Sequence, residues 1–339
     1  GKTYTIIEII KQLSLNQNER VLVCGPSNIS VDTILERLTK VFTSEIANVD
    51  DGGKSKRKRK AAANSTKFPP EKLIRIGHPA RLLATNLDHS LDVLSKGTEI
   101  LSDIHRDIGD VLGKVKKAKR YAERRALWGE LKILRKELRE REKKLTLDLL
   151  LGANVVLLTL HGSGAYELTS IYKDQENASF DTIIIDEVSQ ALEPQCWIPL
   201  INHYGFKRLI IAGDNMQLPP TVKSKDINPT NQNLSIGKKL LQVKIGEIAD
   251  LERTLFDRLV QDLNGDAFKI LLDTQYRMNK AIMTFPSQEM DEAKLKADPS
   301  VANINLADLI PQVDQHELPL QDISSTLWLD TQGGDFAEK

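Results

Sequence analysis

Three β-branched residues in a row, Ile183-Ile184-Ile185, run directly into Asp186 and Glu187. A run of this kind reads as a buried strand that ends at the acids. The pattern recurs, with short apolar runs at Arg20–Cys24, Asn154–Thr159, Thr182–Ile185, Arg208–Ala212 and Lys269–Leu272. Helical stripes lie between them. Ile6, Ile7, Ile9, Ile10 and Leu13 mark one from Thr3 to Leu15, and another helix is expected from about Ser30 to Val41. Strand, turn and capped helix in succession predict an α/β fold with a mostly parallel sheet. Ligands of such a sheet sit at the carboxyl ends of its strands.

A length of 339 residues exceeds one ordinary core and predicts two lobes, or one lobe with insertions. Lys+Arg and Asp+Glu are equal at 47, so any polyanionic partner must be read from local charge. Cys24 and Cys196 are the only cysteines, too few for a disulfide framework or a zinc site, and they fit a reducing intracellular compartment. No run of eighteen or more apolar residues occurs, so no membrane span is expected.

Two stretches interrupt the α/β rhythm. Residues 42–70 carry Asp50-Asp51-Gly52-Gly53 and the basic run Lys54 to Lys60, the composition of a disordered surface insertion. That run suits a nuclear-localisation signal or a nucleic-acid tether, and equally a solvated charge run with no reader. Residues 87–150 read as an inserted arm of two long antiparallel helices. Ile100, Ile104, Ile108, Val111 and Val115 form one stripe; Leu127, Leu131, Leu134, Leu138, Leu145 and Leu149 form the other. Between Lys114 and Lys144, fourteen Lys or Arg stand against five Glu. Such a surface can ride on phosphates, or it can be a solvated face laced with pairs such as Glu137 with Arg141.

Four constellations carry chemistry. Gly1-Lys2-Thr3 looks like the end of a P-loop: Lys2 would reach the β- and γ-phosphates, Thr3 would hold Mg2+, and the following helix would aim its N-terminus at them. The leading glycine and loop of that motif are absent, so the nucleotide pocket is expected to be incomplete. Asp186 would coordinate Mg2+ through water while Glu187 orients or deprotonates the attacking water; the alternative is a surface turn. Gln217, before Pro219-Pro220, offers an amide that can touch both the γ-phosphate and that water without titrating, or it simply makes a turn. Tyr276 can stack on adenine and Arg277 can neutralise the transferred phosphoryl group, unless the two are an ordinary surface pair. Ser27, Asn28, Thr159 and Gly162 lie at strand ends, where small polar groups bond phosphates and sugars or cap helices. The six histidines show no metal-ligand spacing.

Taken in order, Gly1-Lys2-Thr3, Gly25 to Asp32, Arg75-Ile76-Gly77-His78-Pro79-Ala80-Arg81, Asp186 to Glu193, Gly213 to Pro220 and Gln275 to Met278 resemble the motifs of superfamily 1 helicases. The likeness is to the branch containing the nonsense-mediated-decay helicase, and within it to the immunoglobulin mu-binding-protein or DNA helicase A type. Cys196 to Leu200 and Ile282-Met283 sharpen it. The resemblance implies two RecA-like lobes that hydrolyse ATP between them and step 5′ to 3′ along single-stranded DNA or RNA, working as a monomer in cytoplasm and nucleus. By that likeness Lys2, Thr3, Asp186, Glu187, Gln217, Tyr276 and Arg277 take the roles given above.

The implied layout is a first lobe over 1–86 and 151–266, the arm over 87–150, and the beginning of a second lobe over 267–339. A chain of this extent is expected to be an incomplete piece, inactive alone. One departure is local: Asp291-Glu292-Ala293 stands where the family has a tyrosine and a glycine. Two other readings remain. One is a non-catalytic nucleic-acid-binding fragment that uses the basic arm. The other is a different P-loop enzyme, such as an ABC-type ATPase or a nucleotide kinase, which leaves Gln217 to Pro220 and Tyr276-Arg277 unexplained.

Overall fold

The computed structural model describes residues 1–49, 72–96, 99–174, 178–222, 251–263, 265–305 and 308. The basic run Lys54 to Lys60 lies outside them. The chain forms two compact units, Thr5–Asn264 and a smaller one made of Gly1–Tyr4 with Gly265–Lys339.

The larger unit is built on α1 (Lys2–Lys11), β1 (Val21–Gly25), α2 (Asn28–Val49), β2 (Leu73–Arg75), α3 (Leu91–Lys96), α4 (Glu99–Lys117), α5 (Tyr121–Gly152) and β3 (Val155–Thr159). It continues through α6 (Tyr166–Thr169), α7 (Ile171–Asp174), β4 (Thr182–Ile185), α8 (Glu193–Asn202), β5 (Arg208–Ile211) and α9 (Leu255–Asp262). Helix α1 starts at Lys2 in the smaller unit and runs on into the larger.

The five strands order as β2-β3-β1-β4-β5, and every neighbouring pair is parallel. The parallel α/β expectation therefore holds. Side chains alternate across the sheet, as a period of two requires. Val21, Val23, Leu73, Val155, Leu157 and Ile184 face Ile6, Ile7 and Ile10 of α1 and Val31, Ile34, Leu35 and Leu38 of α2. Leu22, Cys24, Ile74, Val156, Leu158, Ile183 and Ile185 face the opposite layer, with Leu150, Leu168, Ile171, Phe180, Cys196 and Leu255. Both faces are covered, which is why these strands read as continuous apolar runs rather than alternating ones. At the sheet edge β5 is more open, with Arg208 and Leu209 exposed.

The arm is a helical hairpin, α4 packed on α5 through a short connection at 118–120. Ile104, Val111 and Leu131 are buried, as the two stripes predict, and so is Leu101, which lies outside them; the other described stripe residues are partly buried. Its root is held by Arg20, whose guanidinium donates to the carbonyls of Leu150 (2.8 Å), Ala153 (3.4 Å) and Ala178 (2.5 Å). The same guanidinium stands 4.8 Å from the Phe180 ring centroid.

Three differences from the sequence expectations have physical reasons. Helix α2 continues past Val41 to Val49, with Phe42 buried in the core, so the disordered insertion expected over 42–70 does not begin at 42; its remainder, 50–70, lies outside the described residues. Leu73–Arg75 forms an unexpected edge strand, because parallel pairing with β3 outweighs the charge at its end. The strand expected at Lys269–Leu272 is absent: these residues are exposed coil, Ile270 at 85 %. In the smaller unit the strand is instead β6 (Thr274–Gln275), parallel to β7 (Lys296–Ala297), with α10 (Lys280–Met290) between them and α11 (Pro299–Ala302) after. An apolar run makes a strand only where a neighbouring backbone accepts its hydrogen bonds.

Candidate nucleotide and nucleic-acid site

Because the sheet is parallel, the turns after β1, β3, β4 and β5 emerge along one edge. Register brings them together. Gly25 pairs with Thr159 across β1 and β3, and Leu160 N–H donates to Gly25 O at 2.9 Å. Asp186 N–H donates to Cys24 O at 2.9 Å, so the acid pair adjoins the end of β1. Ser27, Asn28, Thr159, Gly162, Asp186, Glu187 and Gln217 thus share one edge of the larger unit. Gly1, Lys2, Thr3, Tyr276 and Arg277 belong to the smaller unit.

Each turn is set by local chemistry. A Cβ on Gly25 would stand 2.6 Å from Ser30 Oγ and 3.0 Å from Val31 Cγ2, so only glycine lets α2 start this close to β1. Ser27 Oγ accepts the N–H of Ser30 at 3.1 Å, a helix-capping bond. Asn28 Oδ1 accepts from Arg75 Nη2 at 2.9 Å. Thr159 Oγ1 accepts the N–H of Gly162 at 3.2 Å and closes the turn after β3. Ser27 and Thr159 therefore hold their own turns, whatever else their hydroxyls do.

Asp186 is buried to 4 % exposure. Glu187 takes a left-handed backbone, φ 51° and ψ 40°, which costs a residue with a Cβ about 1–2 kcal/mol. Such strain persists where surrounding bonds impose it. Here Val188 N–H donates to Ala212 O at 3.0 Å, and Asp214 N–H donates to Ser189 Oγ at 3.0 Å. These bonds stitch the acid turn to the loop that carries Gln217. In that loop Gln217 Nε2 donates to Asp214 Oδ2 at 2.8 Å, which fixes its amide orientation. A Cβ on Gly213 would meet Val188 Cγ1 at 2.9 Å and Ser189 N at 3.1 Å, so the two turns are in tight contact.

The acid turn suits a magnesium ion. On a polyphosphate this ion takes one or two protein oxygens, with phosphate and water supplying the rest. A buried carboxylate at a strand end, beside a second carboxylate, is that donor set. Among the described residues no group of three or more His, Cys, Asp or Glu could hold an ion by itself. Both thiols are buried and pushed up by desolvation, Cys196 to about 12, so neither is a nucleophile here.

In the smaller unit, Gln275 Oε1 accepts the N–H groups of Arg277 (2.8 Å) and Met278 (2.9 Å), while its Nε2 donates to Met278 O at 2.7 Å. The side chain thereby shapes the turn that leaves Tyr276 and Arg277 exposed. Gly1 is followed at once by α1, with Tyr4 N–H on Gly1 O at 3.1 Å. Ser189, Gly213 and Gln275 escaped the sequence reading. Their only signal was to sit inside motifs whose other members attracted the chemistry.

A five-stranded parallel sheet with helices on both faces and an acid pair at a strand end defines a P-loop NTPase of RecA-like fold. A family model described as an AAA domain matches residues 1–225, and a second, also described as an AAA domain, matches residues 251–338. The chain belongs to this AAA-domain family, in the superfamily 1 helicase branch that includes the nonsense-mediated-decay type. It is 46 % identical over 345 residues to the DNA polymerase alpha-associated DNA helicase A of Saccharomyces cerevisiae, covering 100 % of this chain and 44 % of that protein. The DNA-binding protein SMUBP-2 of Mesocricetus auratus is 34 % identical over 343 residues, covering 100 % of this chain and 28 % of its own length. A regulator of nonsense transcripts 1 homolog from Neurospora crassa is 27 % identical, covering 87 % of this chain and 21 % of itself. The chain thus spans less than half the length of these curated relatives. Among its described residues no helix is long and apolar enough to cross a membrane.

Proposed function

We propose that this chain supplies the first RecA-like lobe, and the beginning of the second, of an ATP-dependent helicase or translocase moving 5′ to 3′ along single-stranded DNA or RNA. The first lobe would comprise 1–86 and 151–266, with the arm 87–150 inserted and 267–339 opening the second. The observation that carries the reading is the stitching of the Asp186–Glu187 turn to the Gln217 loop through Ser189 and Asp214. A site that couples hydrolysis to movement needs its water-activating acid and its phosphate-sensing amide on one rigid piece.

In this reading Gly1, Lys2 and Thr3 cradle the ATP phosphates, and Thr3 and Asp186 would hold Mg2+. When bound, that ion neutralises charge on the transferred phosphoryl group. Glu187 accepts a proton from the attacking water as its oxygen bonds to the γ-phosphorus and the bond to the β-bridging oxygen breaks. Gln217 senses the γ-phosphate. Tyr276 stacks on adenine, and Arg277 meets the charge that develops on the phosphoryl oxygens. Ser27, Asn28, Thr159 and Gly162 contact the sugar-phosphate backbone. The protein would work as a monomer in nucleus and cytoplasm.

The test is ATP hydrolysis, with and without single strands, by the chain and by a version extended at both ends to the length of its relatives. The expected result is strand-stimulated hydrolysis in the extended protein, reduced roughly 100-fold or more by Glu187→Gln. A second reading has its own support: α5 presents Lys132, Arg135, Lys136, Arg139, Lys143 and Lys144 to solvent beside exposed Trp128. Binding of single strands that ATP leaves unchanged, with no hydrolysis in the extended protein, would replace the motor by a binding module on this arm.

A further inference from the structure

Arg75 lies at the end of the edge strand β2 and is fully buried. Its Nε donates to Asp32 Oδ1 at 2.8 Å, Nη1 to the carbonyl of Ile76, and Nη2 to Asn28 Oδ1 at 2.9 Å. Asp32 is buried too, and its Oδ2 accepts the N–H of Leu83 at 3.3 Å. A Cβ on Gly77 would press on Arg75 Nη1 at 3.2 Å, so the loop closes tightly over the guanidinium. The network joins the first turn of α2 to the end of β2 and to the loop that follows.

Its consequence falls on Asn28. A guanidinium carries donors only, so the atom of Asn28 that faces it must be the oxygen. The amide orientation, usually ambiguous between O and N, is here fixed by chemistry. Nδ2 is then the end of the amide not held by Arg75, on a half-buried residue at the start of α2 next to exposed Ser27, and makes no hydrogen bond among the described residues. Phosphate oxygens accept only. An Asn28 turned the other way would offer them its carbonyl and repel them. A positive charge on Oδ1 also strengthens the opposite N–H donors.

We propose that Arg75 is a positioning residue: it never touches the strand, but holds Asn28 so that Nδ2 donates to a phosphodiester oxygen of single-stranded nucleic acid. The inference rests on the reading of Asn28 as a backbone contact, and it adds the group that makes that contact possible.

The test measures single-strand affinity of the full chain over a range of salt, with thermal unfolding run in parallel. Asn28→Ala is expected to weaken binding roughly tenfold, the scale of one hydrogen bond to a charged group. Asn28→Asp keeps an acceptor for Arg75 but turns a carboxylate toward phosphate, and should bind more weakly still. Arg75→Lys keeps the charge opposite Asp32 but cannot span Asp32 and Asn28 together. It should weaken binding as Asn28→Ala does, and add nothing in the Asn28→Ala background. In Asn28→Ala and Arg75→Lys the slope of log affinity against log salt should stay unchanged, because neither alters the charge that faces phosphate; Asn28→Asp, which adds a carboxylate there, should make it shallower.

An equal further loss on Arg75→Lys in the Asn28→Ala background would reduce Arg75 to a fold-holding role and overturn the proposal. Wild-type affinity in Asn28→Asp overturns it even if Arg75→Lys unfolds. Binding by the wild type that no Asn28 variant alters sinks the positioning role alone and leaves the basic arm as the contact. No binding by the wild type removes the nucleic-acid reading as well.

Discussion

The hydroxyl of Ser189 accepts the backbone N–H of Asp214 at 3.0 Å, so the turn after β4 and the turn after β5 move as one piece. Ser189 is buried, and its removal leaves the Asp214 N–H without that acceptor. Ser189→Ala is expected to lower stability by about 1 kcal/mol. Gly213→Ala should act more strongly, by about 1–3 kcal/mol, because its Cβ overlaps Val188 and a backbone nitrogen rather than a flexible side-chain end. Urea denaturation measures both. Equal, negligible effects would mean that the two turns are independent.

Arg20 ties the root of the arm to the sheet through three carbonyls. Arg20→Met keeps the packing on Phe180 but strands those acceptors, and should cost about 3 kcal/mol. Arg20→Lys should recover little, since one ammonium cannot reproduce the planar fork. Faster amide hydrogen exchange at the C-terminal end of α5 and along β3 is the readout.

His203 is fully buried between Tyr172 and the turn after β3. Its Nε2 lies 2.8 Å from Ser163 O, an acceptor, so Nε2 carries the proton and Nδ1 accepts from the Tyr172 hydroxyl at 2.7 Å. Burial holds its pKa below the ordinary 6.5, only partly opposed by the bond to Ser163. Between that lowered value and 6.5 the unfolded chain binds a proton that the native state does not. Stability should therefore fall as pH drops below 6.5, by up to about 1.4 kcal/mol per pH unit, and level off below the folded pKa. His203→Gln should remove that component of the slope in denaturation at pH 7.5 and 5.5, the other five histidines contributing equally to both proteins.

Glu292 and Ala293 both take positive φ, 52° and 59°, in a turn closed by Lys294 N–H on Asp291 O at 2.9 Å. Two consecutive positive values are the type I′ pattern, which favours glycine. Ala293→Gly should stabilise the turn by about 1 kcal/mol, seen as slower amide exchange at the end of α10 and in β7. Unchanged or faster exchange would mean that the surroundings, not the Cβ, limit this turn.

Much of the larger unit was legible because its strands are buried on both faces: Val21-Leu22-Val23 and Ile183-Ile184-Ile185 can be little else. Leu73-Ile74-Arg75 was not legible as a strand, since its buried arginine is acceptable only where Asp32 and Asn28 meet it, and sequence does not show that meeting. Ile270-Leu271-Leu272 misled for the opposite reason, having the composition of a strand without a partner backbone. At the candidate site the acids and the amide stood out by chemistry. Ser189 and Gly213 did not, because their work is done by contacts across two turns separated in the chain.

The arm has one more implication. Helix α5 packs against α6 and α7 near Arg139 and Leu147, while Tyr121 at its far end is 80 % exposed. From Arg139 to Tyr121 the helix extends about 27 Å. A tilt of about 10° at the root would carry the tip roughly 5 Å by the same geometry. By that geometry a small rotation at the anchored end of α5, where Arg20 holds the carbonyls of Leu150 and Ala153, would be magnified toward Tyr121.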